Sequence, residues 1–282
     1  MNNKYNILIS LLSIILIIII LLNINIITYY IPLNLSNFIN YTFPPLFVSM
    51  FISKLLIELN IQYYLSKFIK DYSLRLMILS FLTGFPNNII FMLNDYKNKI
   101  INEKDISYLI TFTTVISPIY LIKQSFKILN NYAITTVIIY YLIHIIIFLL
   151  IRNNIKVTDY NHAKKNINIK DLIVIGIPSI IQNLLNICAI IIFFQMFSCL
   201  INNSLLKGLI EFTSGINSLY NMNYPLIKKG IILLMILLFN SFSIFIQMNY
   251  YLKDININYK NFIYLKVIIT ILFFVIGQSL KS

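Results

Sequence analysis

Long apolar runs alternate with short polar segments along most of this chain. Residues 7–22 (ILISLLSIILIIIILL) approach the roughly 20 apolar residues that a membrane-spanning helix needs, and residues 230–239 (GIILLMILLF) form a shorter run within segment 230–251. Other runs of similar character follow at intervals that leave room only for short loops. The pattern predicts an all-α polytopic membrane protein.

Composition supports this prediction, because the chain holds more apolar residues than one soluble core would use. Hydrophobic residues make up 59% of it, charged residues 11%, and the mean hydropathy is +0.83. Soluble domains carry about 25% charged residues. The first apolar run follows MNNKY and shows no small-residue cleavage site. We therefore expect an uncleaved N-terminal transmembrane helix over residues 1–31.

The chain is basic, with 22 Lys and Arg residues against 9 acids and a net charge of +13. Nucleic acid binding is one interpretation of such a charge. The basic residues lie in short loops between apolar segments, however, which is the distribution of the positive-inside rule. We expect membrane lipid around the protein and no nucleic acid partner. The strongest basic cluster predicts a cytoplasmic loop over residues 152–170, and it contains Arg152, Lys156, Lys164, Lys165 and Lys170.

Segment 76–94 is long enough to cross a membrane, but helix-breaking residues occupy its middle. In a helix interior Gly84 and Pro86 cost about 1 and 3 kcal/mol relative to Ala, and Asn87 and Asn88 add polar groups there. Basic residues flank both ends of the segment, which puts both ends on one side. This pattern favours a re-entrant hairpin, whose irregular backbone must lie within protein or a water-filled cavity. A kinked helix that crosses the membrane is the alternative.

A second polar interruption, LIEFTSGINSLY at residues 209–220, lies in segment 203–224. The segment is too short and too polar to span comfortably, and it predicts a second hairpin. A lone acid, two hydroxyls and a glycine stand together in it: Glu211, Thr213, Ser214 and Gly215. An acid at the bilayer centre costs roughly 2.5–3.5 kcal/mol, so a deep Glu211 would indicate a function.

Each predicted hairpin is followed by a helix that polar residues interrupt, at Ser117–Pro118 in the first half and at Asn240–Ser243 in the second. Corresponding interruptions in opposite orientation are the pattern of inverted-repeat transporters. We therefore expect an inverted-repeat, transporter-like fold with two re-entrant hairpins and interrupted helices. Residues 40–151 and residues 171–282 would be its two repeats.

Five motifs also occur in the order, and at about the spacing, of a known family. They are FPPLFVSMFISKLL (43–56), LTGFPNN (82–88), TTVISPIY (113–120), GLIEFTSG (208–215) and FNSFSIFIQ (239–247). Over roughly residues 40–280 the chain resembles the YlbJ/SpoVV sporulation integral membrane proteins. That family belongs with the nucleoside-recognition gate proteins and is similar to concentrative nucleoside transporters.

The resemblance implies two gate-like repeats, multi-pass insertion in a bacterial cell membrane and a role in endospore formation. It also implies passage of dipicolinate, a small aromatic dianion, across the outer forespore membrane. The family's Gly-Phe-Pro falls on Gly84, Phe85 and Pro86, and one of its histidines falls on His144. The predicted solute site comprises Gly84, Phe85, Pro86, Asn87, Asn88, Ser117, Glu211, Thr213, Ser214, Gly215, Asn240, Ser243 and Gln247.

Free N–H groups at the starts of the half-helices, after Pro86 and around Ser117, are the candidates to receive a solute carboxylate. Glu211 would then hold a coupling proton or cation, or hydrogen-bond the solute. The sequence has no phosphate-binding glycine loop, no His-Glu-x-x-His and no metal-spaced Cys/His cluster, so we expect no enzyme activity, no cofactor and no metal.

Several alternatives stay open at the level of sequence, and so does the oligomeric state. Glu211 could be an interfacial charge at a helix end, and His144 a hydrogen-bonded core residue. Asn87 and Asn88 could simply cap the half-helix that starts there. The protein as a whole could carry a nucleoside-type solute, or act as a non-transporting scaffold in a sporulation complex. A scaffold would close the hairpin site by packing, whereas a transporter needs a cavity bounded by both hairpin tips.

Overall fold

The computed structural model describes residues 3–155, 157 and 172–279. Helices make up 83% of the structure, and the described ranges contain no strand. Most of the basic loop predicted over residues 152–170, including Lys156, Lys164, Lys165 and Lys170, lies outside the described residues. The predicted all-α class is therefore confirmed for the described part of the chain.

The N-terminal part, up to the basic loop, contains nine α-helices and one π-helical turn among the described residues. Their bounds are α1 Asn3–Leu22, α2 Ile24–Asn37, a π-helical turn Phe38–Thr42, α3 Phe43–Glu58, α4 Ile61–Ser66, α5 Tyr72–Thr83, α6 Asn87–Lys97, α7 Glu103–Thr113, α8 Pro118–Leu129 and α9 Ala133–Ile151.

The described chain resumes at Leu172. A π-helical turn, Leu172–Gly176, leads into α10 Ile177–Ser198, α11 Ser204–Ile210, α12 Phe212–Asn221, α13 Leu226–Phe239, α14 Phe242–Tyr251 and α15 Lys260–Ser279.

Four helical stretches are long and apolar enough to cross a membrane: Glu103–Asn154, Val174–Ser198, Leu226–Tyr251 and Lys260–Ser279. A fifth candidate is the pair Ser10–Leu22 and Ile24–Glu58, whose axes differ by 86°. The single helix expected over residues 1–31 is thus divided at Asn23. Long apolar side chains of α1 and α15 are exposed on the surface of the protein, as lipid-facing side chains are. The described chain is a multi-pass helical membrane protein.

Helices α5 and α6 form an antiparallel hairpin, which we call the first hairpin. The Tyr72 hydroxyl, at the start of α5, donates a hydrogen bond of 2.8 Å to Asp95 Oδ2 near the end of α6. The turn between them is Gly84–Phe85–Pro86. Gly84 has a φ of +72°, and a Cβ atom there would overlap the backbone of Ser117. Only glycine fits this turn without strain.

Helices α11 and α12 form the second hairpin, which turns at Glu211. The two helices fold back on each other so closely that a Cβ atom on Gly215 would overlap the backbone of Gly208. Small residues at such a crossing let helix backbones approach, as they do in membrane proteins generally. The Asn203 side chain accepts hydrogen bonds from the amides of Leu205 and Leu206 and so caps the start of α11.

Two helices are interrupted, and we call the interruptions the first break (residues 114–117, between α7 and α8) and the second break (residues 240–241, between α13 and α14). Asn240 adopts a left-handed conformation with a φ of 61°. The main hydrophobic core joins both hairpins and both interrupted helices, with Leu76, Ile89, Phe112, Leu219 and Leu237 among its buried members. This packing holds the tips and the breaks together in the centre of the protein.

Candidate functional site

The tip of the first hairpin docks against the first break. The Phe85 amide donates to the Val115 carbonyl at 2.7 Å. Three residues further on, Asn88 Nδ2 donates to Thr113 Oγ1 at 3.3 Å. Together with the contact between Gly84 and Ser117, these bonds bring five predicted site residues, from Gly84 to Asn88, beside Ser117.

Asn87 and Asn88 do not cap α6, so the structure contradicts that alternative. The N-cap of α6 is Pro86, and the helix start has no side-chain cap. Asn87 Nδ2 instead donates backwards to the Thr83 carbonyl at 3.0 Å. Both amides are fully buried, and their Oδ1 atoms have no hydrogen-bond partner among the described residues. Buried carbonyl oxygens without partners are uncommon and require an explanation.

The two breaks meet each other although they are far apart in sequence. Asn240 Nδ2 donates to the Thr114 carbonyl at 2.8 Å. On the other side of the first break, the Ile116 amide donates to the Tyr140 hydroxyl at 2.8 Å. These bonds satisfy backbone groups that the interruption of α7–α8 releases. Ser243 Oγ, in the first turn of α14, lies 2.8 Å from Ser241 Oγ in the second break.

Glu211 is fully buried at the tip of the second hairpin, which does not fit an interfacial charge. It is the N-cap of α12, and its Oε2 accepts a hydrogen bond from the Ser214 amide at 2.8 Å. The same oxygen accepts from Thr213 Oγ1 at 2.5 Å and from Gln195 Nε2 at 3.4 Å. Its other oxygen, Oε1, has no partner among the described residues. Gly215, one turn further on, makes the close contact between α11 and α12.

A small cavity of about 40 Å³ lies between the two hairpin tips. The first tip contributes Phe85 and Pro86 to its wall, and the second tip contributes Phe212. Ser117 from the first break and Gln247 from α14 add polar side chains. Because one water molecule occupies about 30 Å³ in the liquid, this cavity is too small for an aromatic dianion. The described structure therefore leaves no room for such a solute between its hairpin tips.

Six of the thirteen predicted site residues carry a buried polar atom that has no hydrogen-bond partner among the described residues. These atoms are Asn87 Oδ1, Asn88 Oδ1, Ser117 Oγ, Glu211 Oε1, Asn240 Oδ1 and Gln247 Nε2. They come from both hairpins and from both interrupted helices. Leaving a buried polar group unpaired costs about 1–3 kcal/mol, so these six atoms are candidates to bind water or a solute.

Sequence reasoning missed several residues that build this site. Gln195 lies in helix α10, and its side chain donates to both Glu211 and Thr213. The apolar run that precedes it, residues 187–194, makes this polar residue visible in the sequence. Tyr120 lines the cavity with its ring 5.6 Å from that of Phe212. One aromatic among many apolar residues gives no such signal. Tyr140 could not be predicted from the sequence either, since its contact with the first break depends on tertiary packing.

Comparisons of this chain with protein-family models, with curated proteins and with solved structures find no match. The resemblance to the sporulation membrane proteins, and the solute that it implies, therefore stay predictions.

Proposed function

We propose that this protein transports a small anionic solute across a bacterial cell membrane, with dipicolinate as the first candidate. One observation carries the proposal: Ser117 and Gln247, each with a buried polar atom that lacks a partner among the described residues, line a cavity between the two hairpin tips. Four further atoms of this kind belong to the tips and breaks themselves, on Asn87, Asn88, Glu211 and Asn240. In a protein that acts only as a scaffold, we would expect packing to give these buried atoms hydrogen-bond partners. A solute that enters the centre would supply their missing partners.

The order of elements supports an inverted repeat. In the first half a hairpin (α5, α6) is followed by an interrupted helix (α7, α8) and a long helix (α9). In the second half α11 and α12, then α13 and α14, then α15 follow in the same order. We propose that the two hairpins enter the membrane from opposite sides and that solute binds between their tips, as in transporters with discontinuous helices.

The unpartnered atoms are of two chemical kinds, hydrogen-bond donors and hydrogen-bond acceptors. Ser117 Oγ and Gln247 Nε2 are donors that face the cavity, and with the half-helix starts at α6 and α8 they would bind a solute carboxylate. The free oxygen of Glu211 would hold a coupling proton or cation, or hydrogen-bond the solute. Direct contact between two carboxylates is unfavourable unless one of them is protonated.

An open, basic cavity favours an anionic solute. It measures about 700 Å³, lies at the base of the first hairpin, and has Lys70, Arg75 and Arg152 in its wall. A concave surface lined mainly by one sign of charge concentrates ions of the opposite sign. If the resemblance holds, the membrane is the outer forespore membrane and the solute is dipicolinate.

A nucleoside-type solute is the second candidate, and one observation favours it. Three of the unpartnered atoms are amide oxygens, on Asn87, Asn88 and Asn240. Such oxygens accept hydrogen bonds from the N–H and O–H groups of a neutral solute, and they do not bind carboxylates.

Purified protein in proteoliposomes, offered radiolabelled dipicolinate or a labelled nucleoside in parallel, tests the proposal. We expect dipicolinate uptake above that of empty vesicles. Glu211→Gln should lower it at least about tenfold, equivalent to 1.4 kcal/mol, while the protein stays folded because a Gln oxygen can still accept from Ser214 N. Uptake of the nucleoside alone would select the second candidate. Uptake of neither would favour the scaffold, and normal dipicolinate uptake by Glu211→Gln would exclude Glu211 from the site.

A further inference from the structure

Two buried side chains at the second hairpin tip each keep one oxygen without a hydrogen-bond partner among the described residues. These oxygens are Oε1 of Gln195, on α10, and Oε1 of Glu211. The two side chains are already joined, because Gln195 Nε2 donates to Glu211 Oε2 at 3.4 Å. Each free oxygen is therefore next to an atom of that bond, and no donor of the described residues reaches either of them.

The hydrogen bonds of Glu211 show which of its oxygens can take a proton. Oε2 accepts from the Ser214 amide at 2.8 Å and from Thr213 Oγ1 at 2.5 Å, in addition to Gln195. Three donors on one oxygen fit an acceptor that carries no hydrogen of its own. A proton that binds the carboxylate therefore belongs on Oε1.

Thr213 also fixes the orientation of the Gln195 amide. The Thr213 hydroxyl has one hydrogen, which it donates to Glu211, so its oxygen accepts from Gln195 Nε2 at 3.0 Å. Turning the amide over would place its oxygen against Thr213 Oγ1 and Glu211 Oε2, which already act as acceptors there. The free atom of Gln195 is therefore its carbonyl oxygen, which can accept one more hydrogen bond.

The free atoms of the pair suit a proton better than a metal ion. Ca²⁺ and Mg²⁺ take six or more oxygen ligands, whereas Gln195 and Glu211 offer one free oxygen each. A proton needs one oxygen that carries it and one that accepts its hydrogen bond. Both kinds of oxygen are present in this pair.

The pair lies beside the cavity between the hairpin tips. Ile191, one helical turn before Gln195, lines that cavity, and so does Phe212, which follows Glu211. A solute carboxylate in an enlarged cavity would be close to Glu211, and two like charges at short range disfavour each other. Protonation of Glu211 would remove this repulsion.

Glu211 has no neighbouring acid on the helices that face it. Helices α8, α10, α13 and α14 pack against the second hairpin, and their described residues include no Asp or Glu. Among the described residues Glu211 forms no ion pair. Lys207, one turn earlier on α11, is partly exposed, and Tyr120 on α8 contacts Phe212 with the ring centroids 5.6 Å apart.

Other titratable groups lie further along these helices. Lys127 Nζ of α8 lies 4.6 Å from the centre of the Tyr220 ring, and Lys229 Nζ of α13 donates to the Tyr220 carbonyl at 3.2 Å. Tyr220 is at the end of α12 remote from Glu211. The remaining groups are Lys123 on α8, Cys188 and Cys199 on α10, Lys228 on α13, and Tyr250 and Tyr251 on α14. The carboxyl group at this tip therefore titrates without a second acid beside it.

We propose that Glu211 and Gln195 bind the proton that is transported together with the anionic solute, an inference that rests on the proposed function. The proton adds to Glu211 Oε1, the carboxylate becomes neutral, and the new O–H donates to Gln195 Oε1; no other covalent bond forms or breaks. Because Gln195 Nε2 continues to donate to Glu211 Oε2, acid and amide form a cyclic pair in which both oxygens have partners. Neutral Glu211 admits the anion, and the proton leaves on the side where the solute is released. Gln195 is a positioning residue in this step.

Proteoliposomes that contain a pH-sensitive dye, with labelled dipicolinate outside and the membrane potential held at zero, test the coupling. An inward proton gradient of one pH unit should raise solute accumulation up to about tenfold for each coupled proton, and the lumen should acidify as solute enters. Glu211→Gln cannot bind or release the proton, so it should not respond to the gradient. Uptake that follows an imposed sodium gradient at equal pH, and not the proton gradient, would overturn the proposal.

Infrared difference spectroscopy of the full-length protein in lipid nanodiscs tests the pair even if no solute moves. On acidification we expect the carbonyl band of a protonated carboxyl group that is absent from Glu211→Gln. Gln195→Met removes hydrogen bonds from this group, so its band should appear at a higher frequency. The matched control is Gln182→Met, since Gln182 is also on α10 but is exposed; it should leave the band unchanged. Gln195→Asn keeps the amide but withdraws it from Glu211, and it should shift the band in the same direction if the methionine variant does not fold.

The outcomes separate this inference from the proposed function. No protonated band in the wild-type protein, or one that Glu211→Gln retains, would overturn the proton site. A band of unchanged frequency in the Gln195 variants would overturn the role of Gln195. The expected band and shift without dipicolinate uptake would support the proton site and count against the proposed solute alone.

Discussion

The two hairpins have the same architecture but build their tips from different chemistry. The first tip relies on backbone: Gly84 takes a positive φ, and the Phe85 amide bonds the Val115 carbonyl in the first break. The second tip relies on a carboxylate, because Glu211 caps α12 and bonds Thr213 and Ser214. One tip is therefore neutral and the other carries the acid of the site. If the protein transports as we propose, the neutral tip would bind the solute and the acidic tip a proton or cation.

The first prediction tests whether the two hairpins enter the membrane from opposite sides. Its effect is all-or-none, because each cysteine is labelled from one side of the membrane or from the other. Single cysteines at the exposed positions Lys70 and Lys99 flank the first hairpin, and those at Asn202 and Asn223 flank the second. In a chain without Cys188 and Cys199, each pair should react with a membrane-impermeant maleimide from one side, and the two pairs from opposite sides. Inverted-repeat topology requires this result.

Reaction of Lys70→Cys and Lys99→Cys from different sides would mean that α5 and α6 do not re-enter. All four positions reacting from one side would make the repeats parallel. Either result would show that the two hairpins are not inverted equivalents of each other.

The second prediction concerns the glycines that close each hairpin. Gly84→Ala places a Cβ atom against the backbone of Ser117 at a positive φ, and Gly215→Ala places one against the backbone of Gly208. Backbone cannot move aside as a side chain can, so each change should cost more than about 2 kcal/mol of unfolding free energy. Thermal unfolding of the purified protein in detergent measures the loss.

Gly230→Ala is the matched control, because a Cβ atom there has its nearest neighbour at 3.8 Å. It should be neutral or stabilising by up to about 1 kcal/mol, since alanine favours a helix. Were Gly84→Ala to behave like this control, the tip would not depend on its contact with the first break. A loss of unfolding free energy in Gly84→Ala but not in Gly215→Ala would show that the two hairpins differ in rigidity as well as in chemistry.

The sequence predicted the positions of the turns and breaks because their signal is local. Glycine, proline and polar residues in an apolar run mark Gly84–Pro86, Ser117–Pro118, Glu211 and the second break without knowledge of the rest of the chain. The division at Asn23 with its bend of 86° was not predicted, since one asparagine in a long apolar run is a weak signal. The bond between Asn240 and Thr114 spans 126 residues and depends wholly on tertiary packing.

The third prediction concerns that long-range bond and has the smallest expected effect. Asn240 has a φ of 61°, a conformation that glycine also adopts without strain. Asn240→Gly therefore keeps the turn and removes only the bond to the Thr114 carbonyl, which should lower the unfolding free energy by about 1–2 kcal/mol. Asn130→Gly is the control for an exposed asparagine at positive φ. Because its φ of 48° is combined with a ψ of −113°, glycine there should be neutral or stabilising. Equal stability of the two variants in detergent melts would mean that the breaks of the two repeats are held together by the surrounding core and not by this bond.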